Sequence, residues 1–277
     1  MATLNAGKYV SINGLNMYYE VHGAGKPLVV LHGVFGVVGM FEQLLQQLAE
    51  TRQVIAVELQ AHGHTADIDR PLSFEFMADD VAALLKHLGF ANADILGYSL
   101  GGSVALQTVI RHPELVRKLM VVSAPCKSDG WYAERLTVMR SMNAEVAKTW
   151  IGSPMHQAYV GVAPKPGDWT TLAAKIGQLL GQDYDWSKDV AAIKSPTMIV
   201  IGDADSIRTA HAVEFFELLG GGKKDAGKDG SGIPNARLSI LPATTHYNIL
   251  LSPMLASSMA AFLDAPMPEA KKTVIAK

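Results

Sequence analysis

Gly97-Tyr98-Ser99-Leu100-Gly101 is the stretch of this chain best prepared for covalent chemistry. It follows a short apolar run, Asp94-Ile95-Leu96, and opens a helical pattern that reaches Arg111 and stops at His112-Pro113. A strand that turns straight into a helix forces its central residue into a strained conformation, and side chains two residues to either side would collide across the bend. Glycine at 97 and 101 meets that demand, while Gly102 and Ser103 keep the helix face small. The Ser99 hydroxyl is then lifted to a helix N-terminus, where free N–H groups favour developing negative charge. A serine so placed is a candidate nucleophile, and it needs oxyanion donors, a base and a group that steadies the base.

Candidates for each exist elsewhere in the chain. Leu31-His32-Gly33-Val34-Phe35-Gly36 follows another buried run and can present a backbone N–H, from Val34 or from its neighbour Phe35. With the N–H of Leu100 it would form a two-donor oxyanion hole. Nine histidines could supply the base. His87 and His112 sit at helix ends, where capping explains them. His62 and His64 lie in the polar loop Gln60–Thr65, and no acidic or thiol cluster accompanies them at ligand spacing, so no metal is expected. His246 differs, because it follows the apolar strand Leu238–Leu241 and so falls at the carboxyl end of a strand, where ligands bind in such sheets. Asp203 and Asp205 both follow the strand Thr197–Ile201; Asp205 is the choice for orienting the imidazole and Asp203 its rival. The order serine, aspartate, histidine suits a nucleophile elbow.

The elements that must position these groups can be read from pattern. Tyr9–Ile12 and Leu15–His22 flank Asn13-Gly14, a two-residue hairpin connection. Runs at Leu28–Leu31, Val54–Val57, Asp94–Gly97, Leu119–Val122 and Met198–Ile201 suit strands buried on both faces of a parallel sheet. Between them lie helical stripes, one capped by Ser73 with Met77, Val81, Leu84, Leu85 and Leu88 inward, and a last one opened by Ser252-Pro253 with Met254, Leu255, Met259, Phe262 and Leu263 inward. The expected fold class is α/β: a mostly parallel central sheet flanked by helices, with an N-terminal antiparallel hairpin. From Lys127 to Lys194 no buried strand is evident, yet all four tryptophans fall there, which predicts a mostly helical insertion over one end of the sheet. The expected division is therefore a core of residues 1–126 and 195–264, an insertion of residues 127–194, and a loose tail of residues 265–277. Gly220–Gly232 reads as a flexible polar loop.

These motifs resemble those of the α/β-hydrolase fold superfamily. HG-x-x-G appears as His32–Gly36, the loop after the fourth strand as Glu58–Thr65, the elbow as Gly97–Gly101, the acid segment as Pro196–Asp205, and the last histidine as His246. The resemblance covers essentially the whole chain, places Lys127–Lys194 where the family carries a cap, and favours Asp205 over Asp203. Glu58 and Ala61 stand where the family usually has Asp and Gly, and Thr245 where glycine is commoner. Serine rather than aspartate at the nucleophile position disfavours haloalkane dehalogenase and epoxide hydrolase chemistry. The resemblance implies a serine carboxylesterase-like hydrolase that works through an acyl-enzyme, with no cofactor. Lactone opening, carbon–carbon bond hydrolysis, perhydrolysis and a non-catalytic ligand receptor are the alternatives. Few Arg or Lys can be placed facing the site, which ranks a dienoate-binding carbon–carbon hydrolase below simple esters. Phe35, Tyr98, Trp131, Met142 and Tyr159 are the candidate lining of an apolar substrate pocket.

Length and charge agree with that picture. The 277 residues are 49% apolar and 18% charged, with a formal charge of −2, enough for one large domain or a core with an insertion. Near-balanced charge argues against nucleic acid as a partner, and no apolar run is long enough for a membrane span. The first eight residues lack the basic flank and apolar stretch of a secretory signal, and Cys126 stands alone, which together point to a cytoplasmic protein. A monomer or homodimer acting on a small-molecule ester is expected.

Overall fold

A computed structural model describes residues 7–267. The tail expected at 265–277 therefore lies mostly outside the described residues. Lys8–Ile12 (β1) and Leu15–His22 (β2) form the hairpin, with Asn13 at φ 49° and Gly14 at φ 85°, as a tight turn with two left-handed residues requires. The other strands are Lys26–Leu31 (β3), Arg52–Val57 (β4), Ala93–Tyr98 (β5), Val116–Val122 (β6), Thr197–Ala204 (β7) and Ala236–Thr245 (β8). They make one eight-stranded sheet in the order β1-β2-β4-β3-β5-β6-β7-β8. β1 and β2 pair antiparallel, β2 meets β4 antiparallel, and every pair from β4 to β8 is parallel.

The central strands are buried on both faces because helices cover each one. On one face Phe74–His87 (α2) and Leu100–Arg111 (α3) join a core that includes Val29, Ile55, Ile95, Leu119 and Ile199. On the other, Glu42–Ala49 (α1) and Pro253–Asp264 (α10) cover Leu28, Val54, Leu96, Met120 and Val200. Ser73 caps α2 through hydrogen bonds from the N–H groups of Glu75 and Phe76. In α10 Leu255, Met259, Phe262 and Leu263 face inward as expected, but Met254 is 38% exposed. It lies one residue from Leu255, about 100° away around the helix, and so points off the buried stripe.

Residues 127–194 are helical and hold no strand of the sheet. They form Ala133–Arg140 (α4), Ala144–Lys148 (α5), Pro154–Val160 (α6), Trp169–Leu180 (α7) and Ser187–Ala192 (α8). Thr209–Leu218 (α9) then follows β7. Within the insertion α7 is the buried centre: Trp169, Leu172, Ala173, Ile176 and Leu179 are all inside, and the Trp169 indole donates to the Ala147 carbonyl at 3.0 Å. The insertion is tied to the sheet edge by polar contacts. Lys175 donates to the carbonyls of Ile68 and Arg70 at 2.9 and 2.8 Å, and a backbone bridge joins Trp131 to Ile207.

Candidate active site

Ser99 occupies the bend between β5 and α3 with φ at 54°, a left-handed conformation that an L residue with a side chain adopts only at a cost. The flanking glycines are required by close approach. A Cβ on Gly97 would lie 2.0 Å from the Gly101 carbonyl oxygen, and one on Gly101 would lie 2.4 Å from that of Leu31. The bend therefore cannot form with any other residue at either position unless the backbone moves.

Two more strand ends converge on it. The His246 Nε2 is 3.1 Å from Ser99 Oγ, and its Nδ1 is 3.0 Å from Asp205 Oδ1. Ser99, His246 and Asp205 are all buried. The Asp205 carboxylate also accepts from the Ser123 hydroxyl (2.5 Å), the Gly202 N–H (3.1 Å) and the Ile207 N–H (3.3 Å). Burial alone would raise its pKa, but the bonds from His246, Ser123 and Gly202 outweigh that and hold it below the ordinary carboxylate value. An ionised carboxylate only accepts, so the imidazole donates from Nδ1 and keeps its lone pair on Nε2, facing the serine hydroxyl.

Asp203 does something else. It is exposed and accepts from the N–H groups of Ala243 and Thr244 at 3.0 and 3.1 Å. Those residues sit where the β7–β8 register slips: Gly202 pairs with Leu241, but Ala204 pairs with Thr245. The extra residues form a bulge with Ala243 at φ 52°, and the bulge brings residue 246 alongside Asp205. The strand is also longer than the Leu238–Leu241 run suggests, reaching Thr245, because the bulge interrupts its apolar pattern.

The loop after β3 stands beside the serine. Gly36 N–H donates to the Gly33 carbonyl at 3.0 Å, closing a turn with Val34 and Phe35 at its centre and Phe35 at φ 57°. His32 braces this turn: its Nδ1–H donates to the Gly33 carbonyl at 2.8 Å and its Nε2 accepts from the Leu59 N–H at 3.0 Å. Full burial, with His62 nearby, pushes its pKa down to about 3. Burial likewise takes His62 down to about 4; its Nδ1–H meets the Gln60 carbonyl at 2.8 Å. Glu58 accepts from Val38 N–H (2.9 Å) and from the His64 backbone and ring, and the bond from that ring raises the His64 pKa. Ala61 holds φ at 67°, which explains why glycine suits that position.

A cavity of about 610 Å³ opens above Ser99. Its lining includes Val34, Phe35, Tyr98 and Met142 of the expected residues, joined by Met40, Trp150, Met155 and Tyr247. Trp131 and Tyr159 do not line it. Trp131 packs edge-on to the His246 ring at 5.6 Å, and Tyr159 is buried against Trp169 at 5.4 Å. Each was drawn into the interior by its apolar area rather than toward the substrate space. Tyr98 both lines the cavity and donates its hydroxyl to the His246 carbonyl at 2.7 Å. Sequence reasoning missed Ser123, although it follows the carboxyl end of β6 just as the other site residues follow their strands. It also missed Arg135, which lines the cavity. Arg135, Val138 and Met139 share one face of α4 at i, i+3 and i+4, and Met142 just past the end of the helix joins them in the cavity wall, a pattern visible in the sequence once a charged residue is allowed to begin it.

The family described as alpha/beta hydrolase fold matches residues 26–149, from β3 into the insertion. A solved structure of E-2-(acetamidomethylene)succinate hydrolase superposes with a TM-score of 0.74 over 94% of this chain and 99% of that one, at 18% identity. The chain has the α/β-hydrolase fold. A putative carbamate hydrolase, RutD, of Azorhizobium caulinodans is 25% identical over 88% of this chain and 93% of its own length. A pimeloyl-[acyl-carrier protein] methyl ester esterase of Neisseria meningitidis is 41% identical over 36% of this chain and 37% of its own length. Similarity to such proteins supports hydrolytic chemistry for this chain.

Proposed function

We propose that this α/β-hydrolase cleaves carboxylic esters of small to medium size through an acyl-enzyme intermediate. One observation carries the reading: an unbroken line of hydrogen-bonding groups from Asp205 through His246 to Ser99, at the floor of a cavity whose remaining walls are mostly apolar. His246 Nε2 takes the Ser99 proton as Oγ bonds to the ester carbonyl carbon. The backbone N–H groups of Val34 and Leu100 are the donors for the oxyanion. His246 then gives the proton to the leaving alkoxide, which departs as the alcohol. Water enters, loses a proton to His246 as it attacks the acyl-enzyme, and the proton returns to Ser99 as the carboxylic acid is released. Asp205 stays ionised throughout and holds the imidazole in its productive tautomer. The chemistry asks for no metal and no organic cofactor.

Two measurements test this. A fluorophosphonate should label one residue, Ser99, as read by peptide mass spectrometry, and Ser99→Ala should lose at least about 10⁴-fold in kcat toward p-nitrophenyl butyrate. Labelling at another serine, or an Ser99→Ala variant that keeps its rate, would sink the assignment. Binding of esters without turnover by the unaltered protein would favour a receptor instead.

A further inference from the structure

The chain has eight arginines, and seven of them meet an acceptor within the protein. Arg52, Arg70, Arg111, Arg117, Arg140 and Arg208 each pair with an aspartate, and Arg237 donates to backbone carbonyls. Arg135 has no such partner among the described residues. Its Nε is buried without a hydrogen bond, and its guanidinium carbon lies 5.9 Å from the centre of the Tyr247 ring. Among the described residues it is also the only one with a permanent charge that lines the cavity above Ser99. Tyr247 is the chain neighbour of His246 and packs on its ring at 5.6 Å, so the guanidinium stands one aromatic ring away from the proposed base.

A half-buried guanidinium brings five N–H donors in a planar fork, and burial of unpaired donors carries a cost. Within an apolar cavity, the group that offsets this cost best is a carboxylate, which matches the fork with two parallel bonds. Ester hydrolysis itself makes no use of such a cation, since the oxyanion is assigned to the backbone N–H groups of Val34 and Leu100. We propose that Arg135 binds a carboxylate on the substrate, so that the preferred substrates are esters bearing a free carboxylate rather than neutral esters of the same length. This rests on the ester-hydrolase reading and narrows it. The carboxylate can be carried by the acyl half, as in a hemiester of a dicarboxylic acid, or by the alcohol half; both offer the same chemistry to Arg135.

Two matched substrate pairs test the proposal and separate those sources. Mono-p-nitrophenyl adipate is set against p-nitrophenyl hexanoate for the acyl side, and p-acetoxybenzoate against its methyl ester for the alcohol side. In at least one pair the unaltered protein should show kcat/KM about tenfold or more in favour of the anionic member, mainly through a lower KM, with the preference shrinking as salt is raised. Arg135→Met should bring that ratio towards one, Arg135→Lys should leave an intermediate ratio, and Arg135→Glu should invert it. The ratio is the readout, so a general loss of folded protein does not imitate the effect. A ratio at or below one in both pairs for the unaltered protein overturns the role of Arg135, as does a ratio that Arg135→Met leaves unchanged. If none of the four esters is turned over, the ester reading falls, and the recognition role falls with it.

Discussion

The floor of the cavity is made of strand ends and its roof of short helices, and different forces hold the two. On the floor each reacting group is fixed by polar partners from another strand. Asp205 takes four hydrogen bonds, one of them from Ser123 after β6 and one from Gly202 within β7. His32 spans from the turn after β3 to the segment after β4. In the roof, Val138, Met139, Met142, Trp150, Met155, Ile176 and Leu180 reach the cavity through apolar contact. Directional bonds demand one geometry, whereas methionine-rich apolar packing adapts to different shapes. The floor therefore sets which reaction is possible, and the roof sets which molecule undergoes it.

The largest expected effect separates two aspartates of the floor that lie two residues apart. Asp205→Asn should lower kcat toward p-nitrophenyl butyrate by about 10³- to 10⁴-fold, because an amide can donate to Nδ1 and stabilise the unproductive imidazole tautomer. Asp203→Asn should lower kcat only a few-fold, since its task is to hold the β8 bulge, and should lower the urea midpoint slightly. Equal losses of kcat in the two variants would show that the bulge and the carboxylate cannot be assigned separate roles.

The same contrast governs how much could be read from the chain alone. Strand cores, the Ser73 cap and the Asn13-Gly14 turn were legible because each follows from local pattern or backbone chemistry. Ser99, Asp205 and His246 were legible as candidates because their positions after strands repeat one topological rule, and the structure brings all three within hydrogen-bonding distance. The role of Asp203 was hidden because it depends on a register slip between β7 and β8, which no local pattern encodes. In the insertion, aromatic content said that side chains were buried but not on which side. Trp131 and Trp169 went to packing, and Trp150 to the cavity wall. Arg135 was overlooked because a charged residue does not count toward an apolar stripe.

A second, smaller effect concerns acid. His32 and His62 have pKa values of about 3 and about 4 in the folded protein, against 6.5 for an ordinary imidazole. The unfolded chain thus takes up protons at these sites below pH 6.5 while the folded chain does not. Stability is fully present above pH 6.5 and falls as the pH drops from 6.5 towards 4, by up to about 1.4 kcal/mol per pH unit for each histidine. His211, lowered mainly by burial, adds in the same sense, and His64, raised by its bond to Glu58, opposes it. Urea midpoints measured between pH 7 and pH 4.5 should show the decline, and His62→Gln should flatten it. A slope that His62→Gln leaves unaltered would mean that the buried imidazoles of the floor are not what senses acid.

The smallest effect belongs to the roof. Met142 ends the α4-side stripe, is 9% exposed and lines the cavity. Truncating it to alanine enlarges the apolar space without touching any hydrogen bond of the floor, and each additional methylene that a pocket accommodates is worth on the order of 1 kcal/mol. Met142→Ala should therefore move the optimum in a series of p-nitrophenyl esters towards longer acyl chains, with ratios of kcat/KM between neighbouring chain lengths changing about three- to tenfold. The rate of fluorophosphonate labelling at Ser99 by a short reagent should change far less, because that rate reports the floor. If labelling slows as much as ester selectivity shifts, the helices would be positioning His246 as well as the substrate. Trp131, packed on the imidazole from the start of the insertion, would then be the contact through which they act.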